Sequence, residues 1–163
     1  MIVGTGPTHG AHKKFTGDKL AINVPCEGAT AVIGVDVCAL ARNTTKDVRH
    51  VFMPERGFVC GQMMEGSLAA IFPAAIRAKT FEFPYINCRS VYDLHDPYIT
   101  SFFSTAEAAF ELLAKYGEQR CIYTAGIDDG PGHAEGLGYA PDAKASYSND
   151  RSSQGDHIRA MCD

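Results

Sequence analysis

The sequence has no long hydrophobic run, and no segment approaches the roughly 18 apolar residues that a membrane-spanning helix requires. Its N-terminus, Met-Ile-Val-Gly-Thr-Gly, also lacks the basic and then apolar segments of a secretory signal peptide. We therefore expect a cytoplasmic protein that has no membrane partner.

Clusters of basic residues are absent as well. The formal net charge is -4, and the longest basic runs are His12-Lys13-Lys14 and Arg49-His50. Proteins that bind nucleic acid normally carry a concentrated surface of Lys and Arg, which neutralises the phosphates. The charge pattern therefore predicts that nucleic acid is not a partner.

Cysteine spacing gives no sign of a disulfide framework. The chain has six cysteines but no Cys-x-x-Cys pair, and most of the six lie within apolar segments. Cysteines in such segments usually behave as small, buried hydrophobic residues. We predict reduced thiols, which agrees with a cytoplasmic location.

The residues that are present have the composition of a globular protein. The 163 residues are 45% hydrophobic and 21% charged, which is enough to bury the core of one domain. We predict a single α+β domain over residues 1–163, with an irregular leader at 1–18 and a polar, extended segment at 141–155. Because small domains of this kind often complete their sites between subunits, we also expect a homo-oligomer.

Alternation of apolar and polar residues predicts strands, and a spacing of three to four residues predicts helices. The predicted order is β-β-β-α-β-α-β, in which the second and third strands form a hairpin. This order favours an antiparallel or mixed sheet with two main helices packed on one face. The Ala-Leu-Ala end of the second strand leaves a helix possible there. The predicted strands are 19–25, 30–41, 48–53, 81–92 and 121–127, and the predicted helices are 61–79 and 105–116.

The helix at 105–116 has the clearest local signals. Ser104 and Glu107 have the spacing of a capping box, in which each side chain binds a backbone amide near the other residue. Gly117 is placed to end the helix in a left-handed conformation.

The most informative segment is 124–139, which contains five glycines and follows the short, strand-like segment 121–123. Polar groups on a loop at the end of a strand are a common arrangement for ligand binding. We predict that His133 acts catalytically as a proton shuttle. Asp128 or Asp129 would orient it or help to hold a ligand.

A second acid–base candidate is His95, which lies between Asp93 and Asp96. A neighbouring carboxylate can hold a histidine in one tautomer, so we include His95 among the catalytic candidates. The alternative is a capped turn, because Asp and Pro are residues that turns favour.

His9 and His12 are candidate metal ligands. They are three residues apart, which lets both imidazoles reach one ion on a helical turn. Glu135 could supply a further ligand, and the cofactor would then be a divalent metal ion. The alternative is that these side chains are solvated in polar loops, because no named metal-binding motif is present.

Arg49 and Arg56 are candidate anchors for a carboxylate or phosphate group of the substrate. In a strand, Arg49 and His50 point to opposite faces, which suggests that at least one of them lines a cleft or an interface. The alternative is that both arginines form surface ion pairs.

Gly4, Gly6 and Gly10 follow a short apolar segment and resemble the glycine pattern of dinucleotide-binding proteins. In that pattern a tight turn brings a pyrophosphate to the N-terminus of a helix. Here the third glycine is displaced by one position, and residues 11–17 form no amphipathic helix. We therefore interpret the segment as a flexible leader.

Together these residues predict an enzyme of hydrolase or lyase type that acts on a small polar metabolite. Acid–base groups suffice for such chemistry, a metal ion could assist it, and no redox-cofactor motif is present. The alternative is a non-catalytic protein that binds a ligand or assembles with itself. In that case the glycine-rich loop is a structural turn or an interface element.

Overall fold

The computed structural model describes residues 1–55, 57–59, 62–64, 79–87, 97–101, 104–118, 121–127 and 132–137. Within these residues the helices are a 3₁₀ helix (Pro7–Lys14), α1 (Val37–Asn43) and α2 (Thr105–Tyr116). The strands are β1 (Ile2–Val3), β2 (Leu20–Ile22), β3 (Ala31–Ile33), β4 (His50–Pro54), β5 (Gly57–Val59), β6 (Gln62–Met64), β7 (Lys79–Phe83), β8 (Tyr85–Asn87), β9 (Ile99–Ser101) and β10 (Thr124–Ala125).

Six of these strands form one sheet in the order β10-β1-β2-β3-β4-β7. Every neighbouring pair in this sheet runs parallel. The predicted α+β fold with an antiparallel or mixed sheet is therefore wrong, and the arrangement is of the α/β type. The pairs β5–β6, which is antiparallel, and β8–β9, which is parallel, form separate two-stranded ladders.

The prediction fails at the apolar run 30–41, which divides into β3 and α1 instead of forming one strand of a hairpin. Between them Asp36 accepts a hydrogen bond from the amide of Ala39 through its carboxylate, at 3.3 Å. Because α1 carries the chain across one face of the sheet, β4 returns parallel to β3. A continuous apolar run is equally typical of a buried parallel strand, so its periodicity could not separate the two folds.

Alternate strand residues divide the core between the two faces of the sheet. Val3 packs in one buried cluster with Leu40 of α1, whereas its neighbour Ile2 packs in another with Phe110 of α2. The helices α1 and α2 therefore lie on opposite faces of the sheet. This arrangement agrees with the general rule of right-handed crossovers, because the chain moves outward from β3 to β4 and back from β7 to β10. The expectation of two helices on one face concerns 61–79 and 105–116, and it stays a prediction because most of 61–79 lies outside the described residues.

The predicted capping box of α2 is confirmed. Ser104 Oγ accepts a hydrogen bond from the amide of Ala106 at 3.2 Å, and Glu107 Oε2 accepts one from the amide of Ser104 at 3.2 Å. The predicted left-handed conformation of Gly117 is wrong, because its backbone is extended with φ -84° and ψ 148°. Its amide donates to the carbonyl of Leu113 at 2.8 Å, which closes the last turn.

The first 18 residues contribute directly to the fold. β1 lies inside the sheet between β10 and β2, and the 3₁₀ helix follows it. The predicted polar segment 141–155 and most of the predicted helix 61–79 lie outside the described residues. Among the helices of the described ranges, none has the length and apolar character that crossing a bilayer would require.

Candidate functional site

The order of the strands defines one position where the chain reverses its course through the sheet. From β1 the chain proceeds outward through β2, β3 and β4 to β7, and it then returns to the far side of β1 as β10. In open parallel sheets, ligands bind outside the carboxyl ends of the strands at such a switch point. The candidate site therefore lies where the loops that follow β1 and β10 meet.

Backbone hydrogen bonds join these two loops directly. Gly4 donates to the carbonyl of Ala125, and Gly6 donates to the carbonyl of Gly126, each at 2.8 Å. The amide of Gly126 in turn donates to Thr8 Oγ1 at 2.9 Å. These contacts fix the backbone of the β1 loop against the end of β10.

Gly4 and Gly126 permit this close approach because neither has a side chain. A Cβ atom on Gly4 would lie 2.5 Å from the carbonyl oxygen of Gly126, and one on Gly126 would overlap the carbonyl of Gly4. Gly126 also has φ +69°, a left-handed conformation that glycine adopts without strain. The amides of Gly4 and Gly6 donate to the carbonyls of Ala125 and Gly126, so these two amides are not available to bind a phosphate.

The side chains of Thr5 and His133 meet at this junction. His133 Nδ1 lies 2.9 Å from Thr5 Oγ1, and both residues are partly buried. The amide of Ala134 donates to the carbonyl of Thr5 at 2.8 Å, which holds the β10 loop beside the β1 loop. The topology thus brings together an imidazole and a hydroxyl that are 128 residues apart in the sequence.

His9 and His12 lie on the 3₁₀ helix beside this junction and are 8% and 2% exposed. Their ring centroids are 4.5 Å apart. Nδ1 of His9 lies 2.8 Å from the carbonyl of Gly4, and Nδ1 of His12 lies 2.7 Å from the carbonyl of His9. Burial lowers the pKa of His9, which keeps that ring neutral near neutral pH.

Asn23 brings a third element to the same edge of the sheet. It follows β2 directly and has φ +53°, an uncommon conformation for a residue other than glycine. Its side-chain amide donates to Thr105 Oγ1 at 3.1 Å. This bond connects the first turn of α2 to the carboxyl end of β2, next to the β1 loop.

The structure separates several of the predicted site residues. Arg49 immediately precedes β4 and is exposed at the amino edge of the sheet, opposite the edge that holds His133. Glu135 is exposed, whereas His9 and His12 are buried. The predicted residues that lie outside the described ranges are Asp128, Asp129, His95 and Arg56.

His9, His12 and Glu135 are the predicted metal ligands. Within the described ranges, no group of three or more His, Cys, Asp or Glu side chains could hold a metal ion. His9 and His12 approach each other, but Glu135 does not join them in such a group. Among the described candidates, His9 and His12 are therefore the two that lie together.

Thr5, Thr8 and Asn23 were not among the predicted site residues. Threonine and asparagine are common in loops, and no spacing in the sequence distinguishes these three. The signal that could have identified them is topological, because each follows a strand of a parallel sheet at its carboxyl end.

Two cavities open on the α2 side of the sheet, away from this junction. One has a volume of about 350 Å³ and the other about 340 Å³, and they share Leu20, Phe52 and Leu113. The first is lined mainly by apolar side chains, whereas the second reaches Asp18 and Lys19 at the amino edge. Their described linings include none of the predicted site residues, so they are not the acid–base candidate.

No protein family, curated protein or solved structure matches this chain. The functional proposal therefore depends on the geometry of the junction between the β1 and β10 loops.

Proposed function

We propose that this protein is an enzyme of hydrolase or lyase type that acts on a small polar metabolite at the junction of the β1 and β10 loops. His133 is the proton-transfer group, and Thr5 is its hydrogen-bonding partner. The observation that carries the proposal is the 2.9 Å contact between His133 Nδ1 and Thr5 Oγ1 at the switch point of a parallel sheet.

Two arrangements of the proton support acid–base chemistry at this contact. If Nδ1 donates to Thr5 Oγ1, the hydroxyl fixes the tautomer and the basic lone pair lies on Nε2. If Thr5 donates to Nδ1, the imidazole increases the nucleophilic character of the hydroxyl. In hydrolysis by the first arrangement, His133 takes a proton from the attacking water and returns it to the leaving group.

Rigidity of the surrounding backbone also supports the proposal. Thr5 lies between two glycines whose amides are bonded to the β10 segment, and its own carbonyl accepts from Ala134. Catalytic groups need positions that are held by the scaffold before the substrate arrives. The packing of Gly4 against Gly126 supplies such a scaffold.

The location of the site is tested by NMR. Backbone amide spectra of the ¹⁵N-labelled chain are recorded with a panel of small carboxylates, sugar phosphates and amino acids. We expect the shifts to concentrate on residues 4–10 and 126–137. Shifts that concentrate instead around Leu20, Phe52 and Leu113 would move the site to the cavities on the α2 side.

The chemistry is tested with p-nitrophenyl acetate and p-nitrophenyl phosphate as hydrolysis probes. His133→Ala should reduce turnover by roughly 100-fold or more, which is typical for the loss of a general base. Thr5→Ser should retain most of the activity and Thr5→Val should lose it. Arg49→Ala, at the opposite edge, is the control. Ligand binding that survives His133→Ala, with no turnover in the native chain, would favour the non-catalytic alternative.

A cytoplasmic location is a further part of this proposal. Cys26 and Cys121 are free thiols, which agrees with a reducing compartment.

A further inference from the structure

A further site is suggested by His9 and His12, which the acid–base proposal does not use. Both side chains belong to the 3₁₀ helix, whose turn of three residues places positions i and i+3 on the same side. The two rings are buried, with their centroids 4.5 Å apart and their planes tilted by 53°. The two imidazoles therefore form a compact pair.

Backbone carbonyls fix the tautomer of both rings. The Nδ1 atoms lie 2.8 Å from the carbonyl of Gly4 and 2.7 Å from the carbonyl of His9, respectively. A carbonyl oxygen only accepts hydrogen bonds, so Nδ1 must carry the proton in each neutral ring. The lone pair of each ring consequently lies on Nε2.

Nε2 of His12 is the unexplained atom of this pair. It is buried and has no hydrogen-bond partner within the described chain. Buried polar atoms are nearly always satisfied, so an acceptor of this kind indicates a donor or a cation that completes it. Metal-binding histidines typically show this arrangement, in which the other ring nitrogen donates to a backbone carbonyl or a carboxylate.

We propose that His9 and His12 bind a transition-metal ion of the Zn²⁺ class through their two Nε2 atoms. Imidazole nitrogen is a preferred ligand of such ions. No third His, Cys, Asp or Glu of the described residues joins the pair. In the proposed arrangement the described residues supply two ligands, and water or a small anion can occupy further positions on the ion. The proposal is independent of the role of His133.

The test uses the full chain after treatment with a chelator, and ZnCl₂ is titrated into it by isothermal calorimetry. We expect one Zn²⁺ per chain. His9→Asn and His12→Asn should each weaken the binding by about 10-fold or more. Asparagine is chosen because its amide nitrogen can replace Nδ1 in the bond to the carbonyl, while Nε2 is removed. His50→Asn, which changes an exposed histidine at the amino edge, should bind as the native chain does.

A second measurement keeps the proposal testable if a variant does not fold. In ¹⁵N spectra of the native imidazoles, Zn²⁺ should move the Nε2 resonances of His9 and His12 and have little effect on Nδ1. An absence of both heat and Nε2 shifts would overturn the proposal and assign the partner of His12 to a buried water. Binding of equal strength in the native chain and in both folded Asn variants would overturn it too.

Discussion

The two edges of the parallel sheet carry different chemistry, although the same six strands form both. At the carboxyl edge, the β1 and β10 loops bring Thr5 to His133 and hold both in a tightly bonded backbone. At the amino edge, the terminal amine of Met1 donates to the carbonyl of Asp18 at 2.7 Å, and Arg49 is exposed. A parallel sheet therefore sorts residues by the end of the strand that they follow.

This sorting explains why candidate residues that were chosen by their chemistry lie at two different edges of the sheet. Arg49 and His133 suit one substrate chemically, but they lie at opposite edges of the sheet. Thr5 and His133 are far apart in the sequence and lie at the same edge. Two residues at the same edge of the sheet can therefore form one site, whereas suitable chemistry alone does not bring them together.

The largest expected loss of stability comes from disrupting the packing of Gly4 against Gly126 at the carboxyl edge of the sheet. Gly126→Ala places a Cβ against the carbonyl of Gly4 and forces a side chain into a left-handed conformation. Strain and overlap together should lower the free energy of unfolding by about 3 kcal/mol or more. Urea denaturation followed by circular dichroism measures the loss.

Two other glycines provide graded controls for Gly126→Ala. Gly132 has φ +100° with open space around it among the described residues, so Gly132→Ala should show the conformational strain alone, about 1–3 kcal/mol. Gly10 has neither a positive φ nor a neighbour within 4 Å, so Gly10→Ala should change stability by less than about 0.5 kcal/mol. Equal losses in all three variants would contradict the close approach of Gly4 and Gly126.

The parts of the fold that could be predicted are those that contiguous residues determine. α2 was predicted with its observed bounds because Ser104 and Glu107 form a capping box within four consecutive positions. The parallel sheet could not be predicted in this way. Ile2 pairs with Thr124 and with Leu20, and no local pattern specifies such distant partners.

In the candidate site, too, neighbouring residues could be predicted from the sequence and distant partners could not. The glycine-rich segment after β10 and the spacing of His9 and His12 are visible in the sequence, and both segments lie at the carboxyl edge. The partner of His133 is not visible, because Thr5 reaches it only when β1 pairs with β10. Residue type thus indicates candidates, whereas the order of the strands determines which of them meet.

A smaller loss of stability is expected when one hydroxyl group is removed at each edge of the sheet. Thr5→Val removes the contact to His133 at the carboxyl edge, and Thr30→Val removes the 3.4 Å bond to Asp18 at the amino edge. Thr5→Val should cost about 1 kcal/mol, because its bond is short and partly buried. Thr30→Val should cost less than about 0.5 kcal/mol, since its bond is long and exposed. Losses of the same size in urea denaturation would show that the two edges do not differ in this respect.

The smallest expected effect is a difference between the alkylation rates of two thiols, Cys26 and Cys121. Cys26, in the loop after β2, is buried, whereas Cys121, before β10, is exposed. In the folded protein, iodoacetamide should modify Cys121 at least about 10-fold faster than Cys26, because burial shields the Cys26 thiol and raises its pKa. Peptide mapping by mass spectrometry measures both rates, and comparable rates would contradict the burial of Cys26.

The same burial makes stability depend on pH. Burial raises the pKa of the Cys26 thiol, so the folded chain retains a proton that the unfolded chain releases at lower pH. The contribution to stability is complete below the ordinary thiol pKa of about 8.5 and is lost as the pH rises through the folded-state pKa. Cys26→Ala should therefore flatten the fall in the free energy of unfolding as the pH rises above the ordinary thiol pKa. An unchanged slope in Cys26→Ala would assign the alkaline loss to other groups.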